Sequence, residues 1–288
     1  MAIAVSSTAH VIEDRWAMNY AASVFDENPR LYEPAGVVHV GYMAHLEWLV
    51  RQKFRQLPEL QDASGIVQLT SDTQLARPFR WGERVVVGGA VTAVRPKANS
   101  AIVETVFEVY ANDGQEWLAT TRALSLYRGM TISSFGNQLR ESDPRLTGEG
   151  PVSRIAVRIP LTASHVYSEC ARIWTPFHTD LRVSQASGYD RLILHGTATL
   201  SYCVSALVNL LASGDHGRIL RFSSTFSSPV FVGTDATIQY SAAQVDDGTV
   251  VDFSLLDQQG NALLKAGQIV MSGKLASGAT DARWAPSA

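Results

Sequence analysis

The chain has 288 residues, of which 46% are hydrophobic and 18% are charged, and its formal net charge is −3. This composition excludes a disordered chain and indicates a folded protein with a substantial core. The lack of a basic excess argues against nucleic acid or an anionic membrane as a partner. Two cysteines, Cys170 and Cys203, are too few for a disulfide framework or a cysteine-based zinc site.

The N-terminal residues of the chain do not predict a signal peptide. Residues 1–18 lack the basic start and the apolar run of a signal peptide. No segment reaches the roughly 20 uninterrupted apolar residues that span a bilayer. We therefore expect a cytoplasmic protein, and we expect the small and polar residues 277–288 to form a frayed tail.

The first half of the chain predicts one helix followed by strands. After Tyr20 come Asp26, Asn28 and Pro29, and a helix is predicted from Tyr42 to Leu57 because the proline that follows cannot continue it. Four segments rich in β-branched and aromatic residues are predicted to be strands. They are Gly65–Gln74, Arg84–Val94, Ala101–Tyr110 and Glu116–Leu126.

The second half predicts the same order of elements. Residues 130–151 mix glycine, proline, serine and charges without a period, which is typical of a linker. A short helix around Tyr167, a sharp turn at Pro176–His178 and an overhanging loop then lead to a long apolar helix that begins at His195-Gly196. The strands predicted after it are Arg218–Thr225, Ala236–Gln244, Val250–Leu256 and Ala262–Ser272.

Landmarks recur between the two halves in the same order. Tyr20 precedes Pro29 by the spacing with which Tyr167 precedes Pro176, and a glycine opens the long helix in each half. The alternative is a chance similarity of two α+β domains. We predict a duplicated α+β fold, with halves at 1–129 and 152–276 whose sheet edges meet and protect each other.

The stretch from Tyr167 to Leu211 resembles the MaoC-like family of R-specific enoyl-CoA hydratases and dehydratases. The matching residues are Tyr167, Pro176, His178, Asp180 and the run Ile193-Leu194-His195-Gly196. The resemblance implies a double hotdog, in which two antiparallel sheets each wrap round a central helix. The chain departs from the family pattern at Ile173, where an aspartate is expected, and at Thr175, where an asparagine is expected.

The polar residues of the family pattern are divided between the halves. The first half keeps Asp26 and Asn28 but has Leu31 at the histidine position, whereas the second half keeps His178. A proline just before His178 fixes the local backbone, which suits a positioned general base. The resemblance also implies that the N–H of Gly196, at the start of a helix, polarises a thioester carbonyl.

Further candidates accompany His178. The resemblance to related dehydratases makes Glu47, on the helix of the other half, the candidate proton donor; the alternative is a surface carboxylate stabilised by Arg51 one turn on. His195 and Thr175 are candidates for positioning the loop or the substrate. The remaining possible site residues are Asp26, Asn28 and His45, of which the first two could equally form a helix-terminating turn. No partner and no role are predicted for His10, His165 and His216.

The function expected from this resemblance is a lyase, a hydratase or dehydratase that acts across the 2,3 bond of an acyl thioester, with an atypical site that lacks the usual aspartate. Coenzyme A or an acyl carrier would be part of the substrate, and no metal or other cofactor is expected. The alternatives are a hotdog acyl-thioesterase, in which Glu47 or Asp26 activates water, and a non-catalytic acyl-binding subunit. A homodimer is left open.

Overall fold

The computed structural model describes residues 2–34, 36–136, 139 and 150–275. Most of the predicted linker 130–151, and all of the predicted tail 277–288, lie outside the described residues. The strands are β1 (Ile3–Val11), β2 (Gly65–Leu75), β3 (Arg84–Lys97), β4 (Ser100–Ala111), β5 (Glu116–Arg128), β6 (Phe135–Gly136), β7 (Val152–Arg158), β8 (Ile219–Phe226), β9 (Asp235–Val245), β10 (Gly248–Leu256) and β11 (Ala262–Ser272). The α-helices are α1 (Asp14–Ser23), α2 (Met43–Phe54), α3 (Ala163–Cys170), α4 (Pro176–Thr179), α5 (Leu181–Ala186) and α6 (Gly196–Leu211).

The strands form one continuous antiparallel sheet in the order β1-β3-β4-β5-β2-β8-β11-β10-β9-β7, with β6 beside β3. The first half supplies one side of this sheet and the second half supplies the other. Antiparallel pairing of β2 with β8, where Asp72 lies opposite Ser223, joins them. The expected two sheets are therefore one, because the two edge strands satisfy each other's backbone groups at the seam.

The eight strands predicted from the sequence are present, with small shifts at their ends. The strands β1 and β7 were not predicted from the sequence. They are rich in serine or charged residues and lie at the outer edges of the sheet. With these two included, each half has the same strand order from its outer edge to the seam, as a duplicated fold requires. The helix predicted from Tyr42 to Leu57 is shorter at its C-terminal end, since α2 stops at Phe54.

The central helix of the second half, α6, is buried along most of its length because it carries no charged residue. Four polar side chains recur on it at every fourth position, which places them on one face. We call this set, Thr197, Ser201, Ser205 and Asn209, the polar stripe. Among the described residues, no helix is long and apolar enough to cross a membrane.

Each member of the polar stripe has a hydrogen-bond partner from another element. The contacts are Tyr167 Oη to Thr197 Oγ1 (2.9 Å), Tyr20 Oη with Ser201 Oγ (3.0 Å), His39 Nε2 with Ser205 Oγ (2.8 Å) and Asn209 Nδ2 to Asp26 Oδ1 (2.9 Å). Three of the four partners belong to the first half. A shift of α6 along its axis would leave several of these groups unpaired, so the stripe fixes the position of α6 against the first half.

An ion pair spans the seam between the halves. Arg221 on β8 donates to both carboxylate oxygens of Asp72 on β2, at 2.8 and 2.6 Å. Only 14% of the Arg221 side chain and 20% of the Asp72 side chain are exposed. A two-bonded pair that is largely shielded from water contributes more to stability than an exposed pair does.

Replacing Asp72 by asparagine is expected to lower the free energy of unfolding by about 1–3 kcal/mol, because a largely buried guanidinium loses its carboxylate. Asp235→Asn is the matched control, since the Arg158–Asp235 pair also spans two strands but its side chains are 60% and 50% exposed. Asp235→Asn should lower the free energy of unfolding by less than about 0.5 kcal/mol. Urea unfolding measures both, and equal losses would contradict the role assigned to the seam pair.

Candidate functional site

The segment between α3 and α6 carries the candidate site of the second half. The sequence predicted a sharp turn at Pro176–His178 and then a loop, whereas the structure forms two short helices, α4 and α5. Pro176 opens α4, where its missing N–H leaves no donor unpaired. The Asp180 side chain caps α5 by accepting a hydrogen bond from the Arg182 N–H at 2.9 Å. The segment therefore has a defined backbone that holds His178.

The His178 ring is held in one orientation. Its Nδ1 lies 2.8 Å from the Ile193 carbonyl oxygen. A carbonyl oxygen can only accept, so Nδ1 carries the proton and Nε2 keeps a free lone pair. Burial lowers the pKa of His178 to about 4, against the opposing effect of the hydrogen bond to Ile193. The imidazole is thus neutral near pH 7, the state that a general base requires.

His195 forms a platform beneath this ring. The two imidazole centroids are 3.7 Å apart and their planes meet at 27°. His195 is buried, and burial, followed by the proximity of His178, lowers its pKa well below the ordinary value. Its Nε2 lies 3.5 Å from Ser168 Oγ. A neutral His195 supports the His178 ring by packing rather than by charge.

Gly196 is the first residue of α6, so its N–H has no acceptor within the helix. A β-carbon at this position would lie 3.1 Å from the ring of Phe226. This close approach favours glycine here. The helix start therefore presents an amide N–H and the positive end of the helix dipole beside the histidine pair.

The two departures from the family pattern are visible in the structure. Ile173 is 6% exposed and packs in the core, and its backbone N–H donates to the Ser168 carbonyl at 3.0 Å. Thr175 precedes α4, but its side chain makes no capping hydrogen bond. Its carbonyl accepts from the His178 N–H at 3.0 Å. Neither position supplies a carboxylate near His178.

Glu47 is buried on α2, with 4% exposure. Arg51 Nη2 donates to its Oε2 at 2.9 Å, so the pair with Arg51 proposed as the alternative is present, although it is buried rather than on the surface. Burial is the main cause that raises the pKa of Tyr167 to about 12, and the Glu47 charge adds a smaller increase. Within the described part of the chain, no hydrogen bond or ion pair joins Glu47 to His178. A catalytic role for Glu47 stays a prediction.

His45 links α2 to the other half. It is 2% exposed, and its Nδ1 donates to the Ala171 carbonyl at 2.9 Å. Burial lowers the pKa of His45 to about 4. The contact ties the helix of the first half to the end of α3, just before the segment that carries His178.

A second polar cluster lies where the two halves meet. Asp26, His39 and His216 are all at most 1% exposed. Asp26 Oδ2 lies 3.2 Å from His216 Nε2 and 3.8 Å from His39 Nε2. Its Oδ1 accepts from Asn209 Nδ2 and from the Asn28 backbone N–H, at 2.9 and 3.1 Å. The prediction that His216 has no partner is wrong, because the two halves meet here and no spacing in the sequence indicates this contact. The same prediction is wrong for His10, whose Nε2 lies 3.2 Å from Tyr42 Oη.

Asn28 stabilises a turn, which agrees with the helix-terminating turn that was one interpretation of the sequence. Its side-chain oxygen accepts from the Arg30 N–H at 3.2 Å, and its Nδ2 donates to the Gly214 carbonyl at 2.6 Å. The first contact caps a short helical turn that begins at Pro29. The second ties this turn to the loop after α6, so Asn28 also joins the two halves.

The cluster of Asp26, His39 and His216 has ligand atoms within 4.8 Å of one another, a spacing that a metal ion could bridge. The Gly41 N–H, however, donates to His39 Nδ1 at 3.0 Å. The proton of a neutral His39 therefore sits on Nε2, which faces Ser205 at 2.8 Å. A metal ligand needs a bare nitrogen at that position. The cluster is arranged for hydrogen bonding rather than for coordination.

The hydrogen bond between Gly41 and His39 blocks the helix start of the first half, which corresponds to the Gly196 site of the second half. The Gly41 N–H is occupied by His39, and a β-carbon on Gly41 would collide with Ser201 Oγ and Tyr20 Oη. The start of the first-half helix thus offers neither a free amide nor space for a ligand. Among the described residues, the second half keeps a glycine N–H without an acceptor in its helix, at the helix start directly after His195.

Asp26→Asn is expected to lower the free energy of unfolding by about 3 kcal/mol at pH 7, because buried donors lose their anion. Burial opposes ionisation of Asp26, but the hydrogen bonds from His216 and Asn209 and the nearby imidazoles outweigh it and hold the pKa of Asp26 below its usual range. The stabilisation by Asp26 is therefore complete above about pH 4 and is lost as the pH falls further.

Urea unfolding of the wild type and Asp26→Asn from pH 7 to pH 3 measures this dependence. The difference between the two proteins should narrow towards pH 3. Asp190→Asn is the control, since the Asp190 side chain is 87% exposed and should show almost no difference at any pH. A gap between wild type and Asp26→Asn that stays constant with pH would rule out an ionised Asp26.

Comparison with known proteins adds to this geometry. Residues 156–254 match the MaoC like domain family. Peroxisomal enoyl-CoA hydratase 2 from Arabidopsis thaliana is 23% identical over 168 residues, covering 56% of this chain and 54% of that protein. The chain thus spans about half the length of this relative.

Two solved structures are similar along nearly the whole chain. A MaoC-like dehydratase from Phytophthora capsici has a TM-score of 0.73 and 17% identity, covering 95% of this chain and 96% of that one. A Mycobacterium tuberculosis protein with a double hotdog fold has a TM-score of 0.62 and 12% identity, covering 94% and 95%. The strand order repeated in both halves agrees with this architecture. The chain therefore has a hotdog fold in duplicate, and residues 156–254 of its second half match the MaoC like domain.

Proposed function

We propose that the protein is a hydratase or dehydratase that adds or removes water across the 2,3 bond of an acyl thioester. The observation that carries the proposal is the orientation of His178, with Nδ1 bound to the Ile193 carbonyl and Nε2 free. The chain runs from that carbonyl through His195 into Gly196, so the base and the helix start belong to one segment. The MaoC-like domain and the similarity to an enoyl-CoA hydratase support this class of substrate.

In the dehydration direction, Nε2 of His178 takes the proton from C2 of a 3-hydroxyacyl thioester. Negative charge then develops on the thioester oxygen, where the Gly196 N–H and the dipole of α6 stabilise it. The imidazolium returns the proton to the C3 hydroxyl, which leaves as water while the C2=C3 bond forms. Hydration is the reverse sequence, and one imidazole serves both proton transfers.

A mechanism in which one imidazole makes both proton transfers suits this site, because Ile173 stands where the family pattern has an aspartate. The lowered pKa keeps His178 unprotonated above about pH 4, so that it can act as a base at neutral pH. The stack on His195 and the bond to Ile193 hold the ring so that little motion is needed in the reaction. The cytoplasmic location, the absence of a cofactor and the homodimer stay predictions from the sequence.

His178→Gln is expected to lower kcat/KM by about 10²–10⁴-fold, the usual contribution of a general base. Glutamine can still donate to the Ile193 carbonyl, so the loop should keep its shape. His165→Gln is the matched control, because His165 lies exposed on α3 of the same half and should leave activity unchanged. The assay follows loss of the conjugated-enoyl absorbance of trans-2-enoyl-CoA substrates alongside release of free thiol.

The two readouts separate the candidate functions. Loss of absorbance without thiol supports the proposal, whereas release of thiol indicates a thioesterase. Binding of the acyl thioester with neither signal indicates a non-catalytic acyl-binding protein. Full hydratase activity in His178→Gln would remove the mechanism even where the wild type hydrates the substrate.

Glu47→Gln tests the cross-half proton donor predicted from the sequence. If one imidazole makes both transfers, this variant should keep kcat near the wild-type value. It should also lower the free energy of unfolding by about 1–3 kcal/mol, since Arg51 loses its carboxylate partner. The hydratase assay and urea unfolding measure the two effects. A loss of kcat as large as that of His178→Gln would establish Glu47 as the proton donor instead.

A further inference from the structure

We propose that the hydroxyl of Thr197 is a second hydrogen-bond donor to the thioester oxygen, beside the Gly196 N–H. The proposal rests on the proposed hydratase or dehydratase function and names a further residue that contacts the substrate. It follows from three properties of Thr197: its place on α6, the direction of its hydroxyl hydrogen, and the buried hydroxyls behind it.

Thr197 is the second residue of α6, directly after Gly196. Helix side chains lean towards the N-terminus, so its hydroxyl lies over the helix start, where free N–H groups and the helix dipole favour negative charge. Thr197 is partly exposed, whereas Ser201 and Ser205 of the same stripe are buried. It is thus the member of the polar stripe that lies at the site and remains accessible.

The hydroxyl hydrogen of Thr197 is free to meet a ligand. Tyr167 Oη donates to Thr197 Oγ1 at 2.9 Å, so the oxygen is used as an acceptor and keeps its own hydrogen. No other residue in the described part of the chain accepts that hydrogen. Thr199, two residues on, differs because its hydroxyl donates back to the His195 carbonyl at 3.1 Å. The hydrogen of Thr197 therefore points away from Tyr167 and can be donated to a ligand at the start of the helix.

A chain of buried hydroxyls holds Tyr167 in this role. Tyr20 Oη lies 3.3 Å from Tyr167 Oη and 3.0 Å from Ser201 Oγ. Burial raises the pKa of Tyr167 to about 12 and raises the pKa of Tyr20 well above its ordinary value. Both phenols stay protonated across neutral pH, and hydrogen bonds in such a chain strengthen one another. Residues of both halves thus orient the Thr197 hydroxyl.

Two donors suit the chemistry better than one. The oxygen of the thioester gains negative charge as the C2 proton leaves, and paired donors stabilise this charge more in the transition state than in the bound substrate. Loss of one donor should therefore reduce kcat more than it raises KM. This division between kcat and KM separates a substrate contact from a role in packing alone.

The test measures hydration of trans-2-enoyl-CoA by Thr197→Val, Thr197→Ser and Thr199→Val. Thr197→Val should lower kcat by about 10²–10³-fold with little change in KM, as loss of an oxyanion donor does. Thr197→Ser should restore most of the lost kcat, because it returns the hydroxyl. Thr199→Val removes a hydroxyl from the same helix and should keep the wild-type kcat. Thermal unfolding of each variant confirms that it is folded at the assay temperature.

Each outcome is decisive. A wild type without hydratase activity overturns the proposed function and this inference with it. An active wild type whose kcat is unchanged in Thr197→Val overturns the inference alone. Equal losses in Thr197→Val and Thr199→Val would assign the effect to damage of the helix. Failure of Thr197→Ser to recover activity would show that shape, and not the hydroxyl, matters at this position.

Discussion

A polar group that is buried inside a protein must find a hydrogen-bond partner there, and this requirement shapes the centre of the molecule. The helix α6 crosses the core with four polar side chains at every fourth position, and each of them is paired. Most partners come from the other half of the chain. Since unpaired buried groups are costly, the halves can pack in one register only, and that register places the start of α6.

The same requirement gives the two halves different polar contacts. In the first half, His39 occupies the N–H of Gly41, and Asp26 is enclosed by donors from both halves. The polar groups of these residues are occupied by contacts that hold the halves together. In the second half, Ile173 follows Tyr167 by the spacing with which Asp26 follows Tyr20, and the N–H of Gly196 is left without a partner within its helix. The polar residues of the first half thus stabilise the contact between the halves, whereas the second half carries the proposed site.

Much of the fold was predictable from patterns within short segments. Alternating and β-branched residues predicted eight strands, and the spacing of landmarks predicted the duplication. The missed strands β1 and β7 lie at the sheet edges, where one face meets solvent and polar residues weaken the signal. The joining of two sheets into one depends on the pairing of β2 with β8, and edge pairing leaves no local mark in the sequence.

The sequence by itself determined the repeat, the histidine-glycine motif and the absence of the expected aspartate at Ile173, because these are properties of neighbouring residues. Only the tertiary structure decided which groups meet across the two halves. His216 contacts Asp26, although 190 residues separate them along the chain. The state of a buried histidine depends on which acceptor or donor faces each ring nitrogen, and that depends on packing. The ring of His178 is therefore a candidate in the sequence, and its orientation and neutral state are set only in the folded protein.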